Sequence, residues 1–172
     1  PQDLIDTGYA NTFKWKTSDG EDRFRRGMYT FFKRSVPHPN LTSFDCPDST
    51  TTVARRNRSN TPIQALTTLQ NEVFHDAVQA FSAKILSGNS DSDHERLTQA
   101  FRDCVARPPN SSELATFDSL LKKSRTWYTN NIDDAKALVG DRKADGADVS
   151  EMAAWVATLR VMTNMDEFLT RE

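Results

Sequence analysis

The sequence predicts a mainly α protein: an irregular bundle of five to seven helices behind an extended, loop-rich N-terminal arm, with at most a short strand pair. Three observations predict it. From Thr61 onward, apolar residues recur at the 3.6-residue spacing of helices that bury one face. Before Thr61, prolines and polar clusters interrupt every pattern. Helix punctuation also falls where the periodicity needs it: Thr61 with Gln64 and Asn110 with Glu113 form capping boxes, and Pro62 sits in a first turn, where proline costs least.

Residues 1–20 carry Tyr9, Phe13 and Trp15 without a sustained period, so they read as an arm whose aromatics pack onto the body. Asp19 to Glu21 then open a helix of about fourteen residues, with Phe24, Met28, Phe31 and Phe32 on one face, acids in the first turn, and Lys33 and Arg34 in the last. Pro37 ends it. The prolines at 37, 39 and 47, with Asn40, Asp45 and Asp48, make residues 37–52 a loop, and Val53 to Arg58 is expected to be extended, as one short strand.

The helical body follows. Helices are predicted over 62–70 and over 72–86, the second turning Phe74, Ala77, Val78, Phe81 and Ile85 inward, with Gly88 just past its end. Residues 94–106 place Leu97, Ala100, Phe101, Cys104 and Val105 on one stripe, and Pro108-Pro109 stop that helix. The helix capped by Asn110 carries Leu114, Phe117, Leu120, Leu121, Trp127 and Tyr128 inward. A short helix over 132–139 ends at Gly140, and the last, over 149–164, buries Met152, Trp155, Val156, Leu159 and Met162. Phe168 and Leu169 are expected to fasten the C-terminus. The organisation is thus one domain: arm 1–20, helix and proline-rich loop 21–60, helical body 61–172. Without an initiator methionine or a leader pattern, it reads as the C-terminal part of a longer protein.

Composition narrows the function. With 37% hydrophobic and 27% charged residues and no apolar run near the ~20 residues of a bilayer span, a globular chain without a membrane span is expected. The net charge of −2 and pI near 6.0 argue against nucleic acid as a partner, although basic residues and aromatics interleave between Arg23 and Arg34. Residues 1–61 hold ten Lys/Arg against seven Asp/Glu and the remainder twelve against seventeen, a basic arm on an acidic body. The six glycines are isolated, so no phosphate loop or dinucleotide fingerprint exists. The three histidines are scattered, and neither HExxH nor CxxCH occurs; no metal or haem is expected on this chain itself. Cys46 lies in the loop and Cys104 on a helix stripe, so the two are not expected to bond.

The candidate site is Arg55, Arg56, Arg58, Asn60 and Thr61. Three arginines precede the exposed N–H groups of a helix start, the chemistry of an anion site. An internal carboxylate, Asp45 or Asp48, would make this a clamp; an outside anion, such as a sulfated or uronic glycan, would make it a binding site. Asp45 with Asp48, or Asp166 with Glu167, could also supply paired carboxylates for acid/base work.

Five ordered blocks carry a resemblance. They are Arg25-Arg26-Gly27-Met28-Tyr29-Thr30-Phe31-Phe32-Lys33-Arg34-Ser35-Val36-Pro37-His38-Pro39; Phe44-Asp45-Cys46-Pro47-Asp48; Arg55 through Leu66; Ala100-Phe101-Arg102 with Arg107-Pro108-Pro109; and Asn164 through Arg171. Together they are similar to the planctomycete PSD-type C-terminal domain, domain of unknown function 1553. Departures are Gly27 where serine is usual, Phe32 where tryptophan is usual, and Asn110 where threonine caps the helix. The resemblance implies a C-terminal position in a large exported protein, an extracytoplasmic setting, and upstream domains that commonly include a haem-binding cytochrome c-like one. It implies no established activity. The expected role is therefore a non-catalytic structural or docking domain whose partners are the upstream domains of its own polypeptide. Anionic-polysaccharide binding through Arg55–Arg58 and a hydrolase completed by upstream carboxylates are the alternatives.

Overall fold

The computed structural model describes residues 18–33, 36–88, 90, 92–142, 144 and 146–170. The arm aromatics Tyr9, Phe13 and Trp15, together with Arg34, lie outside them. The mainly α class is the class found: among the described residues there are helices and turns and no strand. The α-helices are α1 (Pro39–Ser43), α2 (Pro62–Gln70), α3 (Glu72–Leu86), α4 (Asp93–Val105), α5 (Ser111–Asn130), α6 (Ile132–Val139), α7 (Val149–Met162) and α8 (Asp166–Leu169). Six of these have eight or more residues, and α1 and α8 are single turns. The chain divides into two compact units, residues 1–67 and 68–172, and the division falls inside α2.

In the first unit, the long helix expected after Asp19 does not form. Two 3-10 turns stand there instead, Gly20–Phe24 and Gly27–Tyr29, with Arg25 and Arg26 extended between them. Gly20 adopts φ +59°, outside the helical region, and a Cβ on Gly27 would come 2.6 Å from Leu41 Cδ2 on α1. Two glycines weaken an already marginal segment, and close packing of the Gly27 backbone on Leu41 favours the turn. The predicted apolar face is consequently outward: Phe24 is 52%, Met28 72% and Phe31 69% exposed. Nor is 37–52 wholly a loop. Pro39 occupies the first turn of α1, and His38 Nδ1 accepts from Asn40 N at 3.3 Å. The strand expected over 53–58 is absent; that segment is irregular and exposed, and no strand occurs among the described residues to pair with it.

The second unit is organised around α7. Met152, Ala153, Ala154, Trp155, Val156, Thr158, Leu159 and Met162 are all buried, so this helix is apolar nearly all round, as a central helix must be. It packs on α3, α5 and α6, with α4 closing against α5 and α8 against α4. Two of its buried polar side chains bond within the helix: Trp155 Nε1 donates to Glu151 at 2.9 Å, and Thr158 Oγ1 to the Ala154 carbonyl at 2.8 Å. Phe101 meets Phe117 edge to face at 6.1 Å, joining α4 to α5.

Helix limits follow side-chain caps: Asn71 for α3, Ser92 for α4, Asn110 with Glu113 for α5 and Asp148 for α7. Gly140 closes α6 at φ +60°, its N–H reaching the Lys136 carbonyl at 2.9 Å. Within this unit two inward assignments are corrected. Trp127 is 57% exposed because the α5 stripe continues through Ser124, which is buried, leaving Trp127 at its margin; Ala77 of α3 is also exposed.

Candidate functional site

Asp45 follows α1 at φ +58°, a conformation an L-residue adopts at some cost and Asp or Asn more readily than most. That turn aims its carboxylate back across the chain. Ser59 donates to it twice, from its amide (2.8 Å) and its hydroxyl (2.7 Å), and Gln64 Nε2 donates at 3.3 Å. The Ser59 hydroxyl foremost, then its amide, Gln64 and the charge of Arg56, hold the Asp45 carboxyl below its ordinary 3.8, against the opposing effect of desolvation.

The capping box at the start of α2 is the scaffold for this. Thr61 N donates to Gln64 Oε1 at 3.0 Å, and Gln64 N to Thr61 Oγ1 at 3.3 Å. One amide thus serves two ends: Gln64 Oε1 caps the helix while Nε2 reaches Asp45 and Ser59 Oγ (3.1 Å). Gln64 is 2% exposed, and a buried amide needs this saturation.

The three arginines part company. Arg56 Nε donates to the Asp45 carbonyl at 3.0 Å and Nη2 to the Phe44 carbonyl, so its fork grips main chain, while the Asp45 carboxylate goes to Ser59 and Gln64. Arg55 and Arg58 are exposed and form no hydrogen bond or ion pair among the described residues. Asn60 is exposed; Asp48 Oδ1 accepts from Thr50 N at 3.0 Å in a local turn. Thr42, Asp45, Cys46, Pro47, Asp48, Thr51, Val53, Arg56 and Asn57 line a shallow concavity of about 360 Å³. Asp45 and Asp48 share this concavity, yet the lowered Asp45 pKa is the reverse of what a general acid needs near neutral pH. Among the described residues no group of three or more His, Cys, Asp or Glu is placed to hold a metal ion.

Sequence reasoning missed two ionic junctions in the second unit. Arg107, just before Pro108-Pro109, grips two carboxylates with both edges of its guanidinium: Glu113 at 2.7 and 2.9 Å and Glu167 at 2.8 Å twice. The same guanidinium lies 5.0 Å above the Phe101 ring. Glu113 therefore has three tasks: it also completes the α5 cap through Asn110 N at 2.7 Å. Further along, Arg125 of α5 pairs with Asp93 at the start of α4 and Glu151 at the start of α7, tying three helices. Arg107 and Glu113 could be suspected from the capping box six residues away. Glu167 lies 60 residues on, where no spacing rule reaches.

The cysteines are both free; Cys104 is buried, and desolvation, then the charge of Asp103, pushes its thiol up to about 11. Among the described residues no helix is long and apolar enough to cross a membrane. A family model described as PSD1, a protein of unknown function (DUF1553), matches residues 5–121, which take in the Asp45 site, Arg107 and Glu113 and stop short of Glu167. Neither a curated protein nor a solved structure gives a significant match.

Proposed function

The chain belongs to the PSD1 (DUF1553) family, and we propose that it acts as a non-catalytic structural or docking domain closing the C-terminal end of a large exported multidomain protein. One observation carries this reading: the motif side chains best suited to chemistry are engaged with each other. Asp45 accepts from Ser59 and Gln64, Arg56 donates to the Phe44 and Asp45 carbonyls, and Arg107 pairs with Glu113 and Glu167. Groups so engaged stiffen a fold and leave little free for substrate. The partners in this reading are the upstream domains of the same polypeptide, a haem-binding cytochrome c-like one among them, in an extracytoplasmic setting; that context rests on the family resemblance. The test is to mix the separately produced chain with the upstream part of its parent. Co-elution in size-exclusion chromatography with a raised melting temperature is expected, and independent migration with unchanged melting overturns the reading.

A second reading has its own observation. Arg55 and Arg58 are exposed and unengaged among the described residues, so they are available to sulfate or uronate groups of an anionic glycan. Heparin binding that disappears in Arg55→Ala with Arg58→Ala, at unchanged melting temperature, would favour it. Heparin binding that persists in that variant would end it.

A further inference from the structure

The two carboxylates on Arg107 differ in where they come from. Glu113 belongs to the same stretch of chain, and so do the other groups that hold the guanidinium: the Phe101 ring 5.0 Å beneath it and the Pro108 carbonyl, which accepts from Nη1 at 3.2 Å. Glu113 is fixed in turn by Asn110 N. Residues 101–113 therefore aim the guanidinium whether or not Glu167 is present, and its Nε–Nη2 edge is a carboxylate fork built in advance. Glu167 reaches that edge from α8, a single turn with no buried residue and no side-chain cap at Met165. The chain is anchored just before it, Asn164 Oδ1 accepting from Thr68 Oγ1 at 2.6 Å, and turns at Met165, extended at φ −68° and ψ 150°. Met165 and Phe168 lie partly buried against the core, and the Arg107–Glu167 pair is 38% and 51% exposed. So short a turn, held by two partly buried side chains and one exposed ion pair, opens at lower cost than the helices it rests on.

We propose that α8 is a displaceable latch on a preformed carboxylate receptor at Arg107, and that the segment able to take its place is α8 of a second copy of this chain. The chemistry of the occupant is read from α8 itself. The vacated edge of Arg107 takes a planar carboxylate, and the surface left by Met165 and Phe168 takes apolar side chains beside it. Glu167 followed at once by Phe168 meets both needs, whereas a glycan or a free anion meets only the first. Every copy carries this key together with its receptor. Exchange between two copies repeats the closed contacts, so association entropy is the main term against it. The closed latch competes with the incoming segment, and apparent affinity scales with the fraction of chains whose latch is open.

The probe is a fluorescein-labelled peptide with the sequence of residues 163–170, titrated against the full chain by fluorescence anisotropy. Saturable binding is expected, about tenfold or more weaker for the Glu167→Gln and Phe168→Ser peptides and for the Arg107→Gln chain. A chain carrying Glu167→Gln with Phe168→Ser has lost its own key and should bind the unaltered peptide about tenfold or more tightly than the parent, a gain that a purely structural α8 would not give. If Arg107→Gln fails to fold, the three peptides titrated against that loosened chain decide. Mixing the Arg107→Gln chain, which keeps the key, with the loosened chain, which keeps the receptor, should give a one-to-one complex in sedimentation equilibrium, each alone being monomeric. No peptide binding to the loosened chain, equal binding of the three peptides, or no gain over the parent would overturn the latch. A mixture that stays monomeric would overturn the second copy as its occupant.

Discussion

Asp45 offers the sharpest test of how the first unit holds together, because its two structural demands can be removed separately. Its carboxylate serves the Ser59 amide, the Ser59 hydroxyl and Gln64, while its backbone sits at φ +58°. Asp45→Asn keeps the size and tolerates that backbone, but loses the charge and turns an N–H₂ toward donors. Hydrogen bonds to a charged acceptor contribute about 1.5–3 kcal/mol each when well buried. Asp45 is only half-buried and asparagine keeps one acceptor oxygen, so about 1–2 kcal/mol of destabilisation is expected. Asp45→Gly also loses the carboxylate but relaxes the backbone, whereas Asp45→Ala adds a left-handed penalty of about 1–2 kcal/mol. The expected order of stability is parent, then Asn and Gly together, then Ala. Hydrogen exchange at the Ser59 amide reads this locally, since that N–H donates to Asp45. The pH dependence has a definite sign. A carboxyl held below 3.8 in the folded state contributes stability that is present above pH 3.8 and is lost as pH falls through its lower folded value. Asp45→Asn should abolish that part of the acid sensitivity. Unchanged Ser59 protection and a stability change under about 0.5 kcal/mol in Asp45→Asn, or Asp45→Ala no worse than Asp45→Gly, would refute the reasoning.

Three further outcomes follow from the second unit. Arg125→Ala strands Asp93 and Glu151, whose side chains are 31% and 28% exposed, and should cost about 2–3 kcal/mol in urea denaturation, between the exposed and buried limits; a double-mutant cycle with Asp93→Asn should recover part of that as coupling. Leu121→Ala empties a fully buried position of α5 in the core and should lose about 2–5 kcal/mol, measured the same way. Cys104, with its thiol raised to about 11 and 3% exposed, should resist iodoacetamide at pH 8 in native protein and react only on unfolding; labelling at the rate of a free thiol would contradict its burial.

The parts of this protein that the sequence determined are those where local rules and burial agree. The limits of α2 and α3, the capping boxes at Thr61 and Asn110, the stop at Pro108 and the five inward residues of α7 need only periodicity and end chemistry, because each is set by neighbours within a turn or two. Residues 20–33 show the limit of that reasoning. Their apolar spacing is helical, yet two 3-10 turns stand there, Gly20 is left-handed at φ +59°, and Phe24, Met28 and Phe31 are exposed. The arginine stretch divides the same way. Its composition announced an anion partner, but which atoms Arg56 would grip depended on the left-handed turn at Asp45, which presents carbonyls to Arg56 and the carboxylate to Ser59. Arg107 and Glu167, sixty residues apart, meet only because α8 closes on α4. Contacts within one or two turns cost little chain entropy and can be read from spacing. Those that close long loops form only when the folded core brings both ends together, and the tertiary structure alone decides them.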